Sequence, residues 1–189
     1  MAAVRSLAVS AIVGWMLRES NNVIAEGLAR QVALRARKPA SFGGAAAAVT
    51  AALGTLGAGH GIQLVDGSGL SPLDQITPGA LAAAVRLAAS GQGALRAAVT
   101  GMPVAGFSGT LAPGQSVFGS FGPPALGMVR AKTGNLTKVA SLSGTIEDAS
   151  GRVLAFAFMA DQIPRGSELR PAATAIDAMA TALAGCCCR

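Results

Sequence analysis

The chain has 189 residues, 51% of them hydrophobic but only 4% aromatic, and 15 Lys and Arg against 9 Asp and Glu give a net charge of +6. That composition supports a packed, small-residue core, as one domain or as a piece of a larger one, and excludes a disordered chain. With no Tyr and one Trp there is no base-stacking platform, so nucleic acid is not the expected partner of the positive charge, whereas an anionic cell-surface polymer suits it equally well.

In chain order, the first seventeen residues imitate a signal peptide, with one Arg followed by an apolar run from Leu7 to Leu17. No small-residue cleavage site follows, so this run is expected to be a helix of the fold. A second helix is expected over Val23 to Ala36, with Ile24, Leu28 and Val32 on one face. Between the two lies the polar turn Ser20-Asn21-Asn22. Ser41 caps a third, Ala-rich helix that reaches about Leu56. A short strand from Ile62 to Val65 closes on Asp66-Gly67-Ser68-Gly69. Thr77-Pro78 starts another helix, with Thr as N-cap and Pro at the first helical position, and Gly91 ends it. From Gly101 to Gly127 the chain is rich in Gly and Pro and is expected to be irregular, a length that in a compact domain is usually functional or mobile.

The period then becomes that of strands: Val129 to Thr133, Val139 to Ile146 and Arg152 to Ala160, the last two joined as a hairpin by residues 148–151. A closing helix from Pro171 to Ala184 carries Ile176, Met179 and Leu183 on one face. The expected class is α+β, an antiparallel sheet packed against a helical cluster, over residues 1–185 with a tail at 186–189. No transmembrane span is expected, because the long uncharged stretches are broken by Gly and Pro. The three cysteines, Cys186, Cys187 and Cys188, offer neither an internal disulfide framework nor metal-ligand spacing and read as a frayed tail.

Few residues carry chemistry. His60 lies among glycines, no Gly-x-Ser-x-Gly elbow accompanies it, and a structural or solvent-facing role is expected of it. Those glycines also miss the dinucleotide-binding spacing, so no cofactor and no metal is expected. What remains is a pair of polar motifs, Ser20-Asn21-Asn22 between two helices and Lys132-Thr133-Gly134 closing a strand. A hydroxyl and an amide projected from an inter-helix loop can relay a proton and hold a backbone carbonyl. An ammonium and a hydroxyl on a facing strand can grip a terminal carboxylate. The glycine leaves room for an extended peptide along the strand edge. In this order the two motifs match the second and third of the penicilloyl-serine enzymes, S-x-x-K, S-D-N and K-T-G.

On four blocks the chain resembles the C-terminal part of the D-alanyl-D-alanine carboxypeptidase/endopeptidases of peptidase family S13, the class C penicillin-binding group. These are MLRESNNVIAEGLAR, LVDGSGLSPLDQITPGAL, MPVAGFSGTL and VRAKTGNLTKVASLSG. The resemblance implies an incomplete serine DD-peptidase fold with its active site between sheet and helices. It also implies cleavage of peptidoglycan stem peptides through an acyl-serine enzyme, trapping by β-lactams, and a place in the cell envelope on the periplasmic or extracellular face. Ser20, Asn22 and Lys132 would be catalytic, Ser20 and Asn22 in proton relay and carbonyl binding. Lys132, Thr133, Gly134, Asp66 and Ser68 would bind substrate.

Three positions depart from the family pattern. Asn21 stands for the usual Asp. Pro72 stands where many relatives carry an Arg associated with the free carboxylate of diaminopimelate. The only lysines are Lys38, Lys132 and Lys138, preceded at three positions by Arg35, Val129 and Asn135, so no Ser-x-x-Lys occurs. The expectation is a downstream fragment, inactive alone, that needs an upstream Ser-x-x-Lys segment and exposes apolar surface where helices over one sheet face are missing. A non-catalytic envelope protein that holds peptidoglycan peptides without cutting them is the alternative.

Overall fold

The structure is a computed structural model that describes residues 5–91, 95–164 and 168–187. Among these, six α-helices and five strands follow one another as α1 (Val9–Glu19), α2 (Asn22–Arg35), α3 (Phe42–Thr55), β1 (Ile62–Gln63), β2 (Gln75–Ile76), α4 (Pro78–Ser90), α5 (Arg96–Gly101), β3 (Val129–Leu136), β4 (Val139–Glu147), β5 (Val153–Ala160) and α6 (Arg170–Ala184). The class is α+β, as the pattern of periods predicts. No helix of the described residues is long and apolar enough to cross a membrane.

Helix starts follow local chemistry. Ser41 Oγ accepts the Gly44 N–H at 3.1 Å and Thr77 Oγ1 accepts that of Ala80 at 3.2 Å, so both predicted caps are in place. Three features depart from expectation. The strand from Ile62 shrinks to two residues, because its partner β2 offers only Gln75 and Ile76. The short helix α5 fills a stretch where none was expected. On α2 the buried positions are Ala29 and Ala33 rather than the face of Ile24, Leu28 and Val32, since small side chains let α3 approach through Ala45 and Ala48.

Strands β3, β4 and β5 form one antiparallel sheet in that order, so β3 is an edge. One face packs Val129, Ala131, Ala140, Leu142, Ile146 and Phe156 against Ala173, Ile176, Ala180 and Ala184 of α6. Here too alanines replace the expected stripe: Ile176 is buried, but Met179 is half exposed, because the close approach of α6 to the sheet runs through Ala173, Ala180 and Ala184. Helix α4 also lies against β4 and β5 but contributes nothing to that cluster, so it covers the opposite face. The sheet is therefore sheltered on both sides. Large apolar side chains are exposed on the helical cluster and its approach, at Leu7, Val9, Trp15 and Val23, and also elsewhere, at Leu73, Phe107 and Val153, and α1 buries none of its residues.

The Gly- and Pro-rich segment between α5 and β3 is a folded part of the core rather than a free loop. It contributes Ala105, Leu111, Phe118 and Ala125 to the core, holds two 3-10 turns at Gly109–Leu111 and Pro123–Ala125, and pairs with the start of β3 through Val104 and Arg130. Helix α6 clamps it: Asp177 Oδ2 accepts the N–H groups of Gly119 and Ser120 at 2.9 and 2.8 Å, and Thr181 Oγ1 accepts that of Gly122 at 3.0 Å. At the end of the chain, the Cys186 carbonyl accepts the Ala149 N–H at 3.1 Å. Cys187 is exposed with a free thiol, and Cys188 and Arg189 lie outside the described residues.

Candidate active site

The polar turn divides its labour. Ser20 ends α1 by entering the left-handed region, φ 54° and ψ 47°, with its N–H returned to the Met16 carbonyl. Asn21 starts α2, its side-chain oxygen accepting the Ile24 N–H at 3.0 Å. The middle residue, which the family pattern makes look incidental, is thus the N-cap that fixes the turn. A non-glycine residue in the left-handed region costs roughly 1–2 kcal/mol, a strain typical of functional positions. That strain turns the Ser20 hydroxyl away from its own helix and toward β3.

On β3 the Lys-Thr-Gly triplet does not close the strand, as expected, but lies in its middle. The ladder with β4 continues through Gly134 opposite Ser141 to Leu136 opposite Val139. Ala131 N–H donates to Pro103 O and Val129 O accepts from Ala105 N–H, so residues 129 and 131 aim their backbone groups outward, away from β4. By alternation Thr133 and Asn135 do the same. Past Ala131 no strand of the described residues lies beside this edge. Lys132 curls toward it: Nζ donates to its neighbour's carbonyl, Thr133 O, at 2.7 Å and to Ser20 Oγ at 2.8 Å. Neither ion pair found among the described residues involves Lys132. Burial without a counter-charge lowers its pKa from 10.5 to about 8.

Neither polar motif includes the residue behind Thr133. Thr133 is 7% exposed, and its Oγ1 lies 2.9 Å from Thr110 Oγ1 in the first 3-10 turn. The same turn touches the other wall, because a Cβ on Gly109, which has φ +54°, would overlap the carbonyl oxygen of Arg18, two residues before Ser20. Gly109–Leu111 is therefore wedged between α1 and β3. Its membership of the MPVAGFSGTL block was the available signal, but nothing local singles out Thr110. Gly109→Ala is expected to destabilise the chain by roughly 1–3 kcal/mol, from overlap plus a disfavoured φ, as read from the midpoint of urea unfolding. An unchanged midpoint would mean the turn is not wedged.

Asn22, Asp66 and Ser68 belong to a neighbouring region. They line an open groove of about 720 Å³ together with Val23, Glu26, Arg30 and Phe42, and no hydrogen bond among the described residues joins them to Ser20 and Lys132. Asp66 organises its own loop: Oδ1 accepts from Ser68 and Gly69 N–H and Oδ2 from Ser71 N–H at 2.7 Å. Glu26 Oε1 ties that loop to α2 by accepting the N–H groups of Gly67 and Ser68 at 2.7 and 3.0 Å. This 41-residue link has no local sequence signature. Asp74 closes the loop from the other end through Val65 N–H, and burial, with the nearby Asp66 charge, pushes its carboxyl up. Among the described residues no group of three or more His, Cys, Asp or Glu could hold a metal ion.

The four sequence blocks point to peptidase family S13, and comparison with known proteins agrees on the family. Residues 1–183 match the D-Ala-D-Ala carboxypeptidase 3 (S13) family. The chain belongs to that family. It is 43% identical over 176 residues, 92% of this chain, to carboxypeptidase DacB of Mycolicibacterium smegmatis, of which that stretch is 37%. Its fold is similar to that of part of penicillin-binding protein 4 from Haemophilus influenzae, whose crystal structure superposes with a TM-score of 0.79 at 29% identity over 92% of this chain and 39% of that one. A second crystal structure of that protein, complexed with a β-lactam, gives a TM-score of 0.76 at 30% identity over 89% of this chain and 40% of that one. The chain thus spans about two fifths of the length of these relatives.

Proposed function

We propose that this chain forms one wall of the active site of a serine-type D-Ala-D-Ala carboxypeptidase/endopeptidase acting on peptidoglycan stem peptides in the cell envelope. The observation that carries this reading is the 2.8 Å bond between Ser20 Oγ and Lys132 Nζ beside the open edge of β3. A peptide laid along that edge would meet the outward backbone groups of Thr133 and Asn135. Its terminal carboxylate would be gripped by Lys132 and the Thr133 hydroxyl, with Gly134 keeping the edge clear. Asn22, Asp66 and Ser68 would line the groove that receives the preceding residues.

In the reaction a serine oxygen attacks the carbonyl carbon of the penultimate D-alanine, the C–N bond breaks, and the terminal D-alanine leaves as its amine after taking a proton. Water then releases the acyl group. The Ser20 hydroxyl, bonded to an amine whose pKa is lowered to about 8, is suited to pass the proton on its way to the leaving amine. No Ser-x-x-Lys occurs in these 189 residues, so the attacking serine and its base would come from further polypeptide.

Two measurements test this. The purified chain, incubated with a fluorescent penicillin and boiled in detergent, is expected to carry no label. It is expected to bind an N-acetylated peptide ending in D-Ala-D-Ala, with Lys132→Ala weakening that binding at least about tenfold. Covalent label would overturn the missing nucleophile, and indifference to Lys132→Ala would overturn the carboxylate site.

A further inference from the structure

We propose that Thr110 is a positioning residue that sets the direction in which the Thr133 hydroxyl points, and so decides whether Thr133 can donate to a ligand carboxylate. This rests on the reading of Lys132 and Thr133 as a carboxylate site.

The two hydroxyls are 2.9 Å apart, and no other hydrogen bond involves either oxygen among the described residues. Each can donate one proton and accept two, and both rotate freely about their C–O bonds. With the site empty, Thr133 can donate to Thr110. A carboxylate at the strand edge accepts only, so the pair must reverse: Thr110 donates to Thr133, and Thr133 donates outward. Without the Thr110 oxygen the largely buried Thr133 hydroxyl loses the partner that holds it in line for this reversal.

The surroundings show that the Thr110 oxygen is held in place rather than incidentally close. The Thr110 carbonyl accepts Ser116 Oγ at 2.7 Å, and Ser116 Oγ accepts the Phe118 N–H at 3.1 Å. The adjoining Leu111 is fully buried, and its carbonyl accepts the Gly106 N–H at 3.0 Å. Gly109 abuts the Arg18 carbonyl. The turn is thus fixed on three sides, and it presents a single side-chain oxygen to β3. A valine, which has the same shape without the hydroxyl, would keep the packing and lose only the bond.

The test uses the 189-residue chain and two probes, an N-acetylated peptide ending in D-Ala-D-Ala and the same peptide as its C-terminal amide, each titrated by calorimetry. Thr110→Val is expected to weaken the carboxylate peptide about five- to tenfold while the amide peptide stays within about twofold of the unmodified chain. Thr110→Ser, which keeps the hydroxyl, is expected to restore the carboxylate preference. Thr110→Ala repeats the deletion should the valine variant not fold. An unchanged ratio of the two affinities in the deletion variants, or an equal loss for both peptides, would overturn the proposal. Equal affinity of the unmodified chain for the two peptides would overturn the carboxylate reading of Lys132 and Thr133 itself, and this proposal with it.

Discussion

Lys132→Met is expected to remove a pH dependence of stability worth roughly 3 kcal/mol, the equivalent of lowering a lysine pKa from 10.5 to about 8. Below pH 8 the folded chain holds a partly buried ammonium that the unfolded chain would leave in water, and the full cost of that desolvation is present. Between about pH 8 and 10.5 the folded chain has released that proton while the unfolded chain still binds it, so stability rises with pH. Above 10.5 both forms are neutral and the cost is gone. Methionine fills much the same space with no charge, so the stability difference between variant and parent should be largest near pH 7 and shrink steadily toward pH 11. Urea unfolding of both proteins across that range reads it directly, and a difference that does not change with pH would show that the ammonium is not buried. The same variant should lose the carboxylate peptide. A site that works against stability in this way is what a binding lysine without a resident counter-ion requires: the ligand supplies the missing charge.

The second large effect is expected at Asp177. This aspartate is fully buried on α6, with Oδ2 bonded to two backbone N–H groups and Oδ1 without a partner among the described residues. Asp177→Ala would strand the N–H groups of Gly119 and Ser120 in the interior and is expected to cost roughly 2–4 kcal/mol. Asp177→Asn keeps an acceptor for both donors and should lose less. Burial holds the carboxyl of Asp177 above the ordinary value of 3.8, its two backbone bonds opposing that only in part. Its charged form is therefore disfavoured in the folded chain, and stability falls as pH rises from 3.8 through the folded pKa, a trend the Asn variant should not show. If Asp177→Ala unfolds at the parent's urea concentration, the clamp on the 101–127 segment does not contribute to stability. Because that segment carries Thr110, loosening the clamp should also blunt the preference for a carboxylate.

Much of the helical frame was legible because its signals are local. Ser41 and Thr77 announced the starts of α3 and α4, and the loop at residues 148–151 announced the hairpin, where the Asp148 carboxylate gathers Ser150 and Arg152. Periodicity misjudged which face is buried on α2 and α6, because alanine, weak on any hydrophobic scale, becomes the contact residue wherever two backbones must come close. The triplet at residues 132–134 was read as a strand end because glycine so often ends strands. In the structure Gly134 is paired with Ser141 within a longer ladder.

The proposed site shows the same division. Ser20, Asn22, Lys132, Thr133 and Gly134 were singled out from two short motifs, since few side-chain types suit the carboxylate and proton handling proposed for them. Thr110, Glu26 and Asp177 could not, because each acts on a segment 23 to 58 residues away through a bond or pair of bonds that leave no periodic or compositional trace. The sequence by itself determined the α+β class, most of the helices and strands and the caps at Ser41 and Thr77, all consequences of local propensity. Only the tertiary structure decided that Ser20 meets Lys132, that Asn22, Asp66 and Ser68 line one groove, and that one wedged turn touches both walls. Those facts depend on how far apart packed backbones settle, a distance set by contacts between residues remote in the chain.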